Sequence, residues 1–136
     1  MIEVLMLVAM LGQAPDVSSM YEVSTQGSTP KLKVGEQGKF VLEIVSKSGA
    51  HISDEAPLKV DLKATGLKVE KDKLTNKDST GSKRDGAEFP NPRFEVPITA
   101  SVVGKAVVEA KLKFFVCTDK SCTPQTKTVS VPVDVI

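Results

Sequence analysis

Apolar and polar residues alternate along much of this chain with the period of two that a half-buried strand requires. The alternation is longest between Lys105 and Ile136. There KAVVEAKLKFFVC and CTPQTKTVSVPVDVI flank the polar TDKS, which predicts an antiparallel hairpin closed at its tip by Cys117 and Cys122. Successive side chains of a strand point to opposite faces. Ala106, Val108, Ala110, Leu112, Phe114 and Val116 therefore share a core face with Val129, Val131, Val133 and Val135. Both cysteines fall on the more polar face. Setting Cys117 opposite Cys122 places Ala110 against Val129, Val108 against Val131 and Lys111 against Thr128. The one misfit is Leu112 against Lys127, where a bulge would change the phase of either cysteine.

The same period recurs upstream. Lys31 to Val34 and Lys39 to Val45 read as strands around the Gly35-Glu36-Gln37-Gly38 turn, with Phe40, Leu42 and Ile44 inward. Ser46 to Pro57 is a polar loop carrying His51. Pro57 to Thr65 turns Leu58, Val60, Leu62 and Ala64 inward, and Leu67 to Lys71 resumes after Gly66. Leu74 to Pro92 is a long polar loop with room for one short strand. Arg93 to Val103 places Phe94, Val96, Ile98, Ala100 and Val102 inward, and Pro97 on the other face predicts an edge strand or a bulge. Seven to nine short strands with turns between them predict an all-β, immunoglobulin-like antiparallel β-sandwich.

Residues 31–136 form the predicted sandwich domain, and residues 15–30 a linker or an amino-terminal strand. Residues 1–14, MIEVLMLVAMLGQA, are apolar, too short to span a bilayer as a helix, and end in small residues suited to a signal peptidase. They read as an export signal lacking the usual positive start. The other reading is an amino-terminal strand or hydrophobic helix of the mature fold. No cysteine follows the run, which argues against a lipid anchor.

At 136 residues the chain is long enough to bury a two-layer core without a metal or several disulfides. Its 18 Lys+Arg nearly balance 17 Asp+Glu, and no basic run interleaves with aromatics, so nucleic acid is not an expected partner. One histidine and two cysteines are too few for a four-ligand zinc site unless carboxylates or a second chain contribute, so neither metal nor cofactor is expected. The acidic residues are scattered over loops, no nucleophile motif surrounds a serine, and His51 reads as a solvated or structural histidine.

The chemistry left is that of the cysteine pair. A bridge across a hairpin tip closes only about six residues, worth roughly 2 kcal/mol in the chain-entropy model. It is a modest staple. A tip on the polar face does offer a sulfur that an incoming thiolate can approach. Two cysteines in a chain with an apolar start suit an oxidising compartment, periplasmic or otherwise exported.

Gly49-Ala50-His51-Ile52 with Pro57-Leu58, the strand Phe94 to Ile98, and the ending FFVCTDKSCTPQTKTVSVPV together resemble the amino-terminal periplasmic domain of the thiol:disulfide interchange protein DsbD and its stand-alone disulfide bond corrector relatives. The resemblance covers roughly residues 30–136, and aromatic-x-Cys-x4-Cys-x-Pro is its most specific element. It implies an immunoglobulin-like thiol:disulfide oxidoreductase domain whose cysteines cycle between dithiol and disulfide. Electrons would come from a separate membrane donor and pass to thioredoxin-fold or other periplasmic thiol proteins. By that resemblance Cys122 forms the mixed disulfide with the client and Cys117 resolves it. Phe115, Phe94 and Phe89 are the candidates for the aromatic shield that the family places over its cysteines. Two functions thus follow from the sequence: thiol-disulfide exchange, or a non-enzymatic immunoglobulin-like binding or accessory module of the cell envelope in which the bridge is structural.

Overall fold

Two sheets carry the alternating segments in a computed structural model of the chain, which describes residues 17–47, 49–53, 55–80 and 91–136. Ten strands are present among these residues: β1 (Tyr21–Ser24), β2 (Lys31–Leu32), β3 (Gln37–Ser46), β4 (His51–Ile52), β5 (Lys59–Thr65), β6 (Leu67–Val69), β7 (Lys73–Thr75), β8 (Arg93–Ala100), β9 (Gly104–Cys117) and β10 (Cys122–Val135). One sheet has the order β1-β3-β8-β6. The other has the order β2-β10-β9-β5-β7, with β4 also paired to β9. The result is an immunoglobulin-like β-sandwich. All pairings are antiparallel but one, since β2 runs parallel to β10 over Lys31–Leu32.

The inner faces meet as the alternation requires. Phe40, Leu42 and Ile44 of β3 and Phe94, Val96 and Ile98 of β8 oppose Val60 of β5, Val108, Leu112, Phe114 and Val116 of β9, and Val131 and Val133 of β10, all buried in one core. Tyr21 packs edge-on against Phe114 with ring centroids 5.1 Å apart, and its hydroxyl donates to Gln125 Oε1 at 3.0 Å. That contact ties β1, at the edge of one sheet, to β10 in the other. β1 falls within the 15–30 stretch and pairs with β3, while residues 1–14 lie outside the described residues.

Several local expectations are corrected. Pro97 marks neither an edge strand nor a bulge, for β8 runs between β3 and β6. Glu70 N donates to Pro97 O at 3.1 Å, so the proline's nitrogen also faces the β6 side, and it does so just beyond the last residue of β6. Its missing donor is thus lost where the ladder is already ending. Val102 is 62% exposed rather than inward. β8 stops at Ala100 because its backbone is engaged there by the turn before β3, with Gly35 N donating to Ala100 O and Ala100 N to Glu36 O. Gly104, at φ +130°, then opens β9. The first strand after residue 30 likewise ends at Leu32, leaving Val34 half exposed.

The loop carrying His51 contains a strand, β4, that lies against the end of β9, with Ile52 buried in the core. The long polar loop begins with β7, whose Leu74 is buried. A one-turn 3-10 helix follows at Asn76–Asp78 under a capping box, in which Thr75 N donates to Asp78 Oδ2 at 2.9 Å.

The bridged hairpin tip as candidate functional site

The hairpin register is the one that the pattern predicts. Cys122 faces Cys117, Val129 faces Ala110, Val131 faces Val108 and Thr128 faces Lys111, and the pairing continues unbroken over fourteen residues of each strand. No bulge relieves Leu112 against Lys127. Among the described residues β10 has no neighbour on its other side at that level, so Lys127 lies at the sheet margin with its side chain exposed. An inward charge is tolerable there because the long stem escapes to solvent.

Cys117 and Cys122 form a disulfide with Cα atoms 4.0 Å apart. So short a separation belongs to a non-hydrogen-bonded pair, the rung on which antiparallel side chains lie closest. The tip itself is closed by Thr118 N donating to Ser121 O at 2.8 Å. Ser121 N and Lys120 N both donate to Thr118 Oγ1, at 3.4 and 3.2 Å.

β4 completes the site. His51 stands opposite Cys117 on the side away from Cys122, so the outer face of the sheet carries a rung of Cys122, Cys117 and His51 across three strands. Cys117 in the middle is 4% exposed, whereas Cys122 at the margin is exposed. On the next rung Phe115, half-buried, stands opposite Pro124, and Ser53 N donates to Phe115 O at 2.9 Å, extending β4 along β9 by one bond. The chain then departs from β9 and rejoins it in β5. Asn76 pins this excursion by accepting from Leu58 N at 2.9 Å and donating to Ala56 O at 3.2 Å.

Of the residues singled out by sequence, Cys117, Cys122 and Phe115 are brought together on one face. Phe94 is not among them: it is fully buried on β8 in the other sheet, where it belongs to the core shared by the two layers. Phe89 lies outside the described residues. Lys113 sits two rungs from Cys117 on the same face, opposite Thr126 and Lys59, while Asp119 and Lys120 are exposed in the turn. His51 is the residue that sequence reasoning placed in a loop and the fold places beside the bridge. The signal for it was a single His-Ile alternation, too short to read as a strand. Among the described residues no group of three or more His, Cys, Asp or Glu is arranged to hold a metal ion.

No family model matches the chain, and no curated protein matches it. Solved structures do. A cohesin module from a family 33 glycoside hydrolase of Clostridium perfringens is 8% identical with a TM-score of 0.45, the match covering 85% of this chain and 94% of that one. AggA, the major subunit of aggregative adherence fimbriae type I from Escherichia coli, is 16% identical with a TM-score of 0.36, again over 85% of this chain and 94% of that one.

Proposed function

We propose that the chain is a non-enzymatic, immunoglobulin-like binding or accessory module of an exported protein, in which the Cys117–Cys122 bridge fixes the tip of a recognition hairpin. The observation that carries this reading is the place of the bridge within the sheet. Both cysteines are paired strand residues, Cys117 is buried between Cys122 and β4, and the two strands of the hairpin are joined by an unbroken ladder that reaches the bridge. A bridge so placed fixes the tip that the ladder carries outward, and it persists in an oxidising compartment.

A second reading, thiol-disulfide exchange in the manner of DsbD-like domains, is favoured by the unequal burial of the two sulfur-bearing residues. In that reaction the Cys122 thiolate of the reduced domain attacks the disulfide of an oxidised client, whose S–S bond breaks with its electron pair leaving on the client's other sulfur, which takes up a proton. The Cys117 thiolate then attacks Cys122 Sγ in the mixed disulfide, forming the Cys117–Cys122 bridge and releasing the client's second sulfur as a thiol. The test is trapping. Cys117→Ser leaves Cys122 able to hold a mixed disulfide that cannot be resolved internally. The module reading expects no such adduct with an oxidised thioredoxin-fold protein beyond that of an unrelated exposed cysteine, whereas rapid, selective adduct formation at Cys122 overturns it in favour of exchange.

A further inference from the structure

β10 pairs with β9 along its whole length, but on its other side it meets β2 only at Asp134 and Val135. From Cys122 to Val133 that side is an open sheet edge among the described residues. Asp134 N donates to Pro30 O at 2.9 Å and Ile136 N to Leu32 O at 2.8 Å, so the even-numbered residues of β10 turn their backbone groups toward the open side. Pro124 and Pro132 are even-numbered. Having no N–H, they cost the β9 ladder nothing, and they remove donors from the open side. Between them Thr126, Thr128 and Ser130 present unpaired N–H and C=O groups, a strand-pairing window closed at each end by proline.

The surroundings of that window are cationic at its Thr126 end. Lys113 and Lys111 stand opposite Thr126 and Thr128 on the outer face, Lys59 stands opposite Lys113, and Lys127 lies at the inner margin, all four exposed, while Asp61 stands opposite Lys111 and Glu109 opposite Ser130. Opposed lysines repel. A strand added beside β10 would run about 10 Å from β9, and the small hydroxyl side chains between them leave room for a carboxylate to meet Lys113, which faces Lys59 rather than an acidic residue, above β10, with Lys111 shared between that strand and Asp61. On the inner side, the β10 edge faces β1 across a groove of about 560 Å³, with Tyr21, Val23 and Val129 as its apolar lining and Glu22 and Lys127 among its other walls.

We propose that the Gln125–Val131 edge of β10 is a strand-addition site for an extended segment of a partner protein in which acidic residues alternate with apolar ones. The proposal rests on the binding-module reading and names the partner's chemistry. Main-chain hydrogen bonds to Thr126, Thr128 and Ser130 hold the segment, carboxylates over the outer face answer the lysines, and apolar side chains enter the groove. The prolines and Lys127, devices that guard an edge against general pairing, here restrict pairing to one short window and to acidic strands.

The test uses the whole oxidised chain with short capped peptides of alternating valine and glutamate, or of valine and lysine, read by residue-resolved amide hydrogen exchange. The glutamate peptide is expected to slow exchange at Thr126, Thr128 and Ser130 by about tenfold or more, and the lysine peptide to leave them unchanged. Thr128→Pro, in phase with the two natural prolines, should abolish the protection. The pair Lys111→Glu and Lys113→Glu should transfer it to the lysine peptide, which keeps the proposal testable if the proline variant fails to fold. No protection by the glutamate peptide, equal protection by both peptides, or protection at another edge means that the edge is merely guarded, and overturns the proposal. Such a failure leaves the module reading standing, since the bridged tip remains as a recognition surface. Adduct formation at Cys122 would overturn the module reading without altering the peptide result, which involves no thiol chemistry.

Discussion

Replacing both cysteines by alanine separates the work of the bridge from that of the ladder. The bridge joins residues five apart in sequence, and for a closed loop of about six residues the chain-entropy model gives about 2 kcal/mol, acting on the unfolded chain. In the folded state little is lost. The ladder continues through the pairs next to the bridge, the turn keeps its Thr118 N to Ser121 O bond, and alanine removes only a sulfur from Cys117 and an exposed sulfur from Cys122. Urea unfolding followed by circular dichroism should therefore show a folded double variant with its midpoint lowered by about 1 M, given a slope near 2 kcal/mol/M for a domain of this size. The slope should rise slightly, because the unbridged chain expands further. A loss above about 5 kcal/mol, or a chain that does not fold, would refute the reasoning by showing that the hairpin depends on its bridge. An unchanged midpoint would refute the loop-entropy argument.

Three further predictions follow from single contacts. Tyr21→Phe keeps the ring against Phe114 of β9 and removes the hydroxyl that donates to Gln125 of β10, so equilibrium unfolding should show a loss of about 1 kcal/mol; a loss of 3 kcal/mol or more would mean that the bond, not the ring, holds β1 to the opposite sheet. Asn91, 4% exposed, accepts through Oδ1 from both Ser46 N and Ser46 Oγ at 3.1 Å; Asn91→Ala removes this buried acceptor from both bonds and should cost about 1–3 kcal/mol by the same measurement. The Asp78 carboxyl is held below its usual 3.8, first by its hydrogen bond from Lys71 and then by that from Thr75 N. Its contribution to stability is therefore present above pH 3.8 and is lost as the pH falls through the lower folded value. The acid-side decline in stability should be shallower in Asp78→Asn than in the parent, and identical acid profiles would contradict the assignment.

The hairpin was legible in the sequence because its register is over-determined. A slip of one residue would have put Val108, Ala110 and Leu112 in water, and β-branched residues fix both partners. Lys127 against Leu112 looked like an error only because sequence does not say which strand lies at a margin. Pro97 misled for the same reason: the alternation after Gly66 gives the strand but not its partner, so the place where the β6 ladder against β8 ends, and where a missing N–H is harmless, is visible only in the fold. Phe94 alternates with Val96 and Ile98 as a core residue does, and its assignment as a shield came from resemblance rather than from that pattern. His51 beside Cys117 and the open edge of β10 are products of topology, made by residues far apart in the chain. No local alternation encodes either.

The central claim is that Cys117–Cys122 is a fixture of the sheet, and the equilibrium reduction potential of the pair tests it most directly. The ladder keeps the two thiols opposed even when reduced, so the disulfide should be favoured and slow to exchange. Titrating residues 15–136 against dithiothreitol buffers should give a potential below about −300 mV, with sluggish exchange onto a thioredoxin-fold protein. A potential well above that value with rapid exchange would contradict the account and make the tip a working redox couple.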